Sequence, residues 1–182
     1  MTGRGLLACA SLAAMAACSV PAADGTYVPG ALPDRASFPP VAQLLDVRCG
    51  SLDCHGTTAR NLRLYGSAGL RWSAIDRPFV PACDTVAEVD QDYESVVGLE
   101  PAPMSAVVSA RGADPDQLTM VRKARGIESH KGGQIWSQGD DSDSCLTSWL
   151  AGAANATACA RGMASVLPNG SSNPLLECLA TP

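Results

Sequence analysis

One stretch constrains this chain more than any other: Arg48-Cys49-Gly50-Ser51-Leu52-Asp53-Cys54-His55-Gly56. Two cysteines stand five positions apart, and a histidine directly follows the second. A Cys-His dipeptide with a cysteine shortly upstream is the local pattern of covalent haem attachment, most often with two residues between the cysteines. Here four intervene. The two thiols can add to the vinyl groups of a haem as thioethers, and the neighbouring histidine then lies beneath the iron as its proximal ligand. The extra residues must loop out for both thiols to keep their reach, and Gly50 and Ser51 suit such a turn. Two other readings use the same residues. One is a plain Cys49–Cys54 disulfide loop with an incidental histidine. The other is a zinc site built from Cys49, Cys54, His55 and His130, although side chains at adjacent positions diverge and serve one small tetrahedral ion poorly.

Aromatic residues make up only 4% of the chain, so a packed core has to rest on Leu, Val, Ala and three tryptophans. A buried haem would add apolar mass that this composition lacks. The net charge of −5 argues against nucleic acid, because such a chain cannot neutralise a row of phosphates.

The N-terminus reads as an export signal over 1–17. Arg4 supplies a short positive start, and Leu6 to Ala17 is an uncharged run of 12 residues, too short to span a bilayer. The run ends in Met15-Ala16-Ala17-Cys18, small residues before a cysteine, which resembles the lipobox of bacterial lipoproteins. That resemblance implies cleavage before Cys18, a lipid on Cys18, and, with Ser19 next, sorting to the outer membrane facing the periplasm or cell surface. The alternative is an ordinary secretory signal cut near Ala17 or Ala23. Either places the mature chain in an oxidising compartment. Removing Cys9 with the signal and Cys18 to the lipid leaves six cysteines. If Cys49 and Cys54 hold haem, then Cys83, Cys145, Cys159 and Cys178 remain for disulfides. Proximity along the chain favours Cys83–Cys145 and Cys159–Cys178, although three pairings are open.

Residues 18–38 form a Pro- and Gly-rich spacer, 39–152 the folded domain, and 153–182 a C-terminal extension pinned by cysteines. Pro39-Pro40 opens a helix whose Val41, Leu44 and Leu45 fall on one face and lead into Cys49. Residues 61–66 fit either an extended segment or a helical turn. Further helices are expected from Val86 to Gly98, over Met104 to Ala110, and from Pro115 with Leu118 and Val121 buried. A last one follows the Asp- and Ser-rich stretch 139–143, with Cys145, Leu146, Trp149 and Leu150 inward and Gly152 as its stop. The fold class is therefore all-α. No nucleophile elbow or phosphate-cradling loop occurs, and two histidines leave little for a catalytic triad.

Two blocks of the chain resemble a known family. Cys49 to Gly56, followed by Arg60-Asn61-Leu62-Arg63-Leu64-Tyr65-Gly66, is similar to divergent cytochrome c-type domains of exported myxobacterial and planctomycete lipoproteins. So is Leu118 to Lys123, with His130-Lys131-Gly132-Gly133, Cys145-Leu146 and Trp149-Leu150. The resemblance spans roughly residues 40–152. It implies a small cytochrome c-like fold in which the first helix crosses the last, a haem c held by Cys49 and Cys54, and His55 on the iron. For the sixth position the readings are His130, beside glycines that would let backbone approach a porphyrin, Met104, or an open or water-ligated iron. Met120 is the weaker candidate, because a methionine at helical spacing is more often core. Arg122, Lys123, Arg125 and Lys131 either solvate that segment or pair with haem propionates. Functionally, the reading is an electron-transfer lipoprotein, anchored to the membrane by its lipid and serving a redox partner protein. The competing reading is a haem-free, disulfide-stapled interaction module on a degenerate cytochrome fold.

Overall fold

A computed structural model describes residues 30–77 and 83–165. The signal at 1–17, Cys18, the spacer up to residue 29 and the tail carrying Cys178 lie outside the described residues, so the expectations placed there are neither met nor corrected. Among the described residues the protein is all-α, with no strand. Its helices are α1 (Pro39–Cys49), α2 (Val86–Leu99), α3 (Pro101–Ser109), α4 (Thr119–Ala124), α5 (Asp141–Ala151) and α6 (Ala156–Ala164).

Each helix begins where its local chemistry permits. Prolines occupy the first turns of α1 and α3, where their missing N–H is no loss. Thr85 and Glu88 cap α2 reciprocally, side chain to backbone in both directions. Asp140 and Asn155 accept from the backbone N–H groups of Asp143 and Ala158 to start α5 and α6. The helix expected from Pro115 is divided. Pro115–Gln117 is a 3-10 turn, and Leu118 is extended at ψ 125° before α4 begins. Leu118 cannot cap α4, and the cap comes from elsewhere: the Glu100 carboxylate accepts from Thr119 N at 2.6 Å and Thr119 Oγ1 at 2.7 Å.

Helix α1 is central and packs against α2, α5 and α6. Val41, Ala42, Leu44 and Leu45 are buried, as are the polar Gln43 and Asp46, so it is covered nearly all round. The scarce aromatics are concentrated at its start. Phe38 lies 4.8 Å from Trp149 and 5.5 Å from Tyr93, centroid to centroid. The polar ends of these rings hold the end of the expected spacer, Trp149 Nε1 donating to Asp34 O and Tyr93 Oη to Pro33 O. Ordered contacts thus begin well before Pro39.

The expected disulfide pairing needs correction. Cys145 is bonded to Cys159, with Cα atoms 4.7 Å apart. Helices α5 and α6 are joined by a short turn and pack face to face, which brings these two buried thiols together. Cys83 is disulfide-bonded too, but not to Cys145. Helix α6 was not foreseen in the C-terminal extension. It buries Ala158, Cys159, Gly162 and Met163 and belongs to the same core.

Between α1 and α2 the chain is irregular, with one isolated bridge between Tyr65 and Leu70. Buried carboxylates supply the acceptors that a sheet or helix would have provided. Asp92 accepts from Tyr65 N at 2.7 Å, Asp84 from Ser67 N at 3.0 Å, and Asp46 from Ala68 N at 3.2 Å. Glu88 accepts from Trp72 N at 3.1 Å and pairs with Arg71 at 2.7 Å. Burial pushes the Asp84 carboxyl up to about 7 and, helped by its acidic neighbours, that of Asp92 up to about 9. Burial also raises Asp46.

Each of these folded-state values lies above the ordinary 3.8, so the folded protein holds protons that the unfolded chain releases. Their contribution to stability is complete below about pH 4 and is lost as pH rises through about 7 and about 9. The melting temperature should fall by several degrees between mild acid and about pH 9, and Asp92→Asn should flatten that decline, as calorimetry across the interval will show.

Candidate functional site

Helix α1 delivers Cys49 to the rim of a cavity of about 570 Å³, within the range of small-molecule and cofactor sites. The loop that follows is folded tightly on itself. His55 N donates to Cys49 O at 2.9 Å, Cys54 N to Ser51 O at 2.9 Å, and Gly56 N to Ser51 O at 3.0 Å. These bonds close the four intervening residues into a turn whose Ser51, Leu52 and Asp53 are exposed. The residues that loop out are therefore 51–53, whereas Gly50 and Ser51 were expected. Gly50 is buried, and its carbonyl is enclosed by Gly56 and Gly69, where an added Cβ would stand 1.8 Å and 2.0 Å from it.

Cys49 and Cys54 are both free thiols and both line the cavity. Burial pushes the Cys49 thiol up to about 12, so with nothing bound it is a neutral S–H group at pH 7. Among the described residues, no group of three or more His, Cys, Asp or Glu converges as a metal cage. The set Cys49, Cys54, His55 and His130 does not form one.

His55 and His130 line the same cavity, although they are 75 positions apart in the chain. Each ring is fixed in the same way. His55 Nδ1 lies 3.0 Å from Leu62 O, and His130 Nδ1 lies 2.9 Å from Gly133 O. A carbonyl can only accept, so each Nδ1 carries the hydrogen and each Nε2 keeps a free lone pair. This is the tautomer an iron-ligating imidazole requires. His130 also depends on the glycine beside it, because a Cβ at Gly132 would come within 2.9 Å of His130 Cε1 and Nε2. Burial holds the His55 imidazole below its ordinary value, the Leu62 carbonyl opposes this, and His130 lowers it further.

The walls come from elements distant in sequence: Leu45 of α1, Leu99 ending α2, Met120 and Ala124 of α4, and Leu62, Ile135 and Trp136 from loops. Trp136 Nε1 is buried without a hydrogen-bond partner, so a donor at the cavity has no acceptor among the described protein groups. Of the four cations singled out in sequence, Lys123 and Lys131 line the cavity, joined by Arg60. Arg122 and Arg125 do not. Arg125 is buried and clamped by Asp143 and Asp116, while Arg122 pairs with Glu128. Met104 is not at the cavity either. Helix α3 turns it and Val107 into the core, and the methionine at the site is Met120. Neither Trp136 nor Arg60 was singled out, because an isolated tryptophan or arginine in a loop carries no spacing signal.

The chemistry on offer is attachment and ligation: two free thiols, two imidazoles with free Nε2 atoms, apolar walls, and cations with an indole N–H for anionic groups. In the chain without cofactor, proton NMR should show His55 titrating below the ordinary imidazole range. Its neutral form should carry the hydrogen on Nδ1. His130→Ala should move the His55 midpoint upward, since it removes a group that disfavours the imidazolium.

Compared with known protein families, characterised proteins and solved structures, the chain gives no match, and the site has to be read from its own geometry.

Proposed function

We propose that this protein is an exported cytochrome c-type electron carrier that holds one haem c in the cavity. The observation that carries the reading is the convergence of Cys49, Cys54, His55 and His130 on one cavity, both histidines having Nδ1 tied and Nε2 free. Cys49 and Cys54 would form the thioethers, and His55 and His130 would ligate the iron. Lys123, Lys131, Arg60 and Trp136 Nε1 would receive the propionates. The bound group supplies a reversible one-electron change. Held by protein thiols and imidazoles, the group would pass electrons to a redox partner rather than bind a substrate.

Helix α1 packs against α5, and these are the two helices that the resemblance expects to cross. The free state of Cys49 and Cys54 weighs against the plain disulfide loop, the pairing that would have favoured the haem-free alternative. The reading extends to a mature chain beginning at Cys18 and lipid-anchored to the outer membrane. Among the described residues, no helix is long and apolar enough to cross a membrane.

Variants of the haem-loaded protein test the assignment. The parent protein should be six-coordinate and low-spin in both oxidation states. His130→Ala should become high-spin and bind carbon monoxide, and His55→Ala should lose more haem. Met104→Ala should lower stability by about 2–5 kcal/mol, the usual cost of truncating a buried methionine, while leaving the spectrum intact. If Met120→Ala turns high-spin while His130→Ala stays low-spin, methionine is the sixth ligand and the assignment fails.

A further inference from the structure

We propose that Asp46, Asp84 and Asp92 form a proton-binding site behind the Cys49–His55 loop, and that proton uptake there accompanies electron uptake in the cavity. The coupling rests on the haem reading above, whereas the proton site itself does not.

The groups that face one another are Asp46 from α1, Arg71 from the irregular segment, and Asp84, Glu88 and Asp92 from the start and first turns of α2. Among the described residues, four carboxylates thus share the neighbourhood of one guanidinium. Glu88 takes Arg71 with both oxygens, Nε at 2.7 Å and Nη2 at 2.9 Å. The charge of Arg71 is therefore largely answered before the three aspartates are considered. Asp46 and Asp92 are fully buried. Ser67 bridges Asp46 and Asp84, its Oγ donating to Asp46 Oδ2 at 3.3 Å and its N to Asp84 Oδ1 at 3.0 Å. When all three are ionised, Asp46 Oδ1, Asp84 Oδ2 and Asp92 Oδ2 have no hydrogen-bond partner. Among the described residues no three of these acids converge as a metal cage. A proton answers both the excess negative charge and the unpartnered oxygens.

The cluster is wired to the loop by contact. Asp46 lies one helical turn before Cys49, and its backbone carbonyl receives Gly50 N at 2.8 Å. Its carboxyl is pressed against Gly66, where a Cβ would stand 2.5 Å from Asp46 Cγ. Asp92 holds Tyr65 N, and the preceding residue, Leu64, donates to His55 O at 2.9 Å. Negative charge on Asp46 is also felt at the Cys49 thiol. An electron added beside this loop strengthens the attraction for a proton in the cluster. The step balances simply. One electron enters from a one-electron donor protein, one proton enters from water, and one O–H bond forms on a carboxylate.

Two measurements on the full mature chain decide the matter. Infrared titration, with or without haem, should show a carboxylic-acid C=O band at neutral pH. It should fade toward about pH 9 and shrink in Asp92→Asn and in Asp84→Asn. In the haem-loaded protein the midpoint potential should fall as pH rises across the same interval. The total fall should be at least about 59 mV, the equivalent of a tenfold change in proton affinity between oxidation states, and both variants should flatten it. Absence of the band overturns the proton site, whatever the cavity holds. A band with a pH-independent potential overturns the coupling. A band in a chain that takes up no haem upholds the proton site and overturns the coupling together with the haem reading.

Discussion

The protein depends on how it satisfies the backbone of the irregular stretch between α1 and α2. That stretch carries the Cys49–His55 loop, and much of it lies against the core without helix or sheet to pair its N–H groups. Unpaired, each buried group would cost on the order of 1–3 kcal/mol. Asp46, Asp84, Glu88 and Asp92 take on the task, each accepting from a different N–H between Tyr65 and Trp72. Asp46 stands on α1, Glu88 and Asp92 on α2, and Asp84 just before the α2 cap, so the acids come from the two helices that flank the stretch. Burying acids is unfavourable for the charged form; Glu88 answers this by pairing with Arg71, while the carboxyls of Asp46, Asp84 and Asp92 are raised above the ordinary carboxylate range. A segment that would otherwise be a loose loop becomes a fixed platform, and His55 inherits its orientation from it through Leu62 and Leu64.

The other half of the site is held by different means. The turn bearing His130 is attached through Ile135 and Trp136, whose N–H groups both donate to Ala124 O at the end of α4. Arg48, adjacent to Cys49, reaches across to the carbonyl of Ile135 and to Ser165 beyond α6. One side chain of α1 therefore ties the loop that carries the first histidine to the segment that carries the second. Glu100 completes the arrangement by capping α4 from the junction of α2 and α3.

How much of this could be read in advance followed the range of the interactions. Helices α1, α2, α3 and α5 announce themselves through local signals: prolines in a first turn, Asp and Ser before an apolar face, glycine at a stop. That Cys49, Cys54, His55 and His130 would share one cavity was legible because the first three are neighbours in sequence and the chain holds only one other histidine. What was not legible is long-range. The division at Leu118 depends on a cap supplied by Glu100, and the Cys145–Cys159 bond depends on α6, whose inward face of small residues, Ala158, Cys159 and Gly162, reads as an unstructured extension until α5 is packed against it. Met104 and Met120 stand on helices that both looked amphipathic, and only packing decides which one meets the cavity. Arg125 reads as a surface cation in sequence, yet it is buried because Asp143 and Asp116 close on it.

The central claim is that Cys49 and Cys54 are attachment thiols. The most direct measurement is peptide mass spectrometry of the mature protein, produced with c-type haem maturation machinery and analysed after denaturation and alkylation without reduction. The account predicts that the peptide spanning Cys49 to His55 carries the mass of one haem and no alkyl group on either thiol. A Cys49–Cys54 disulfide, or two alkylated thiols with no haem, would contradict it.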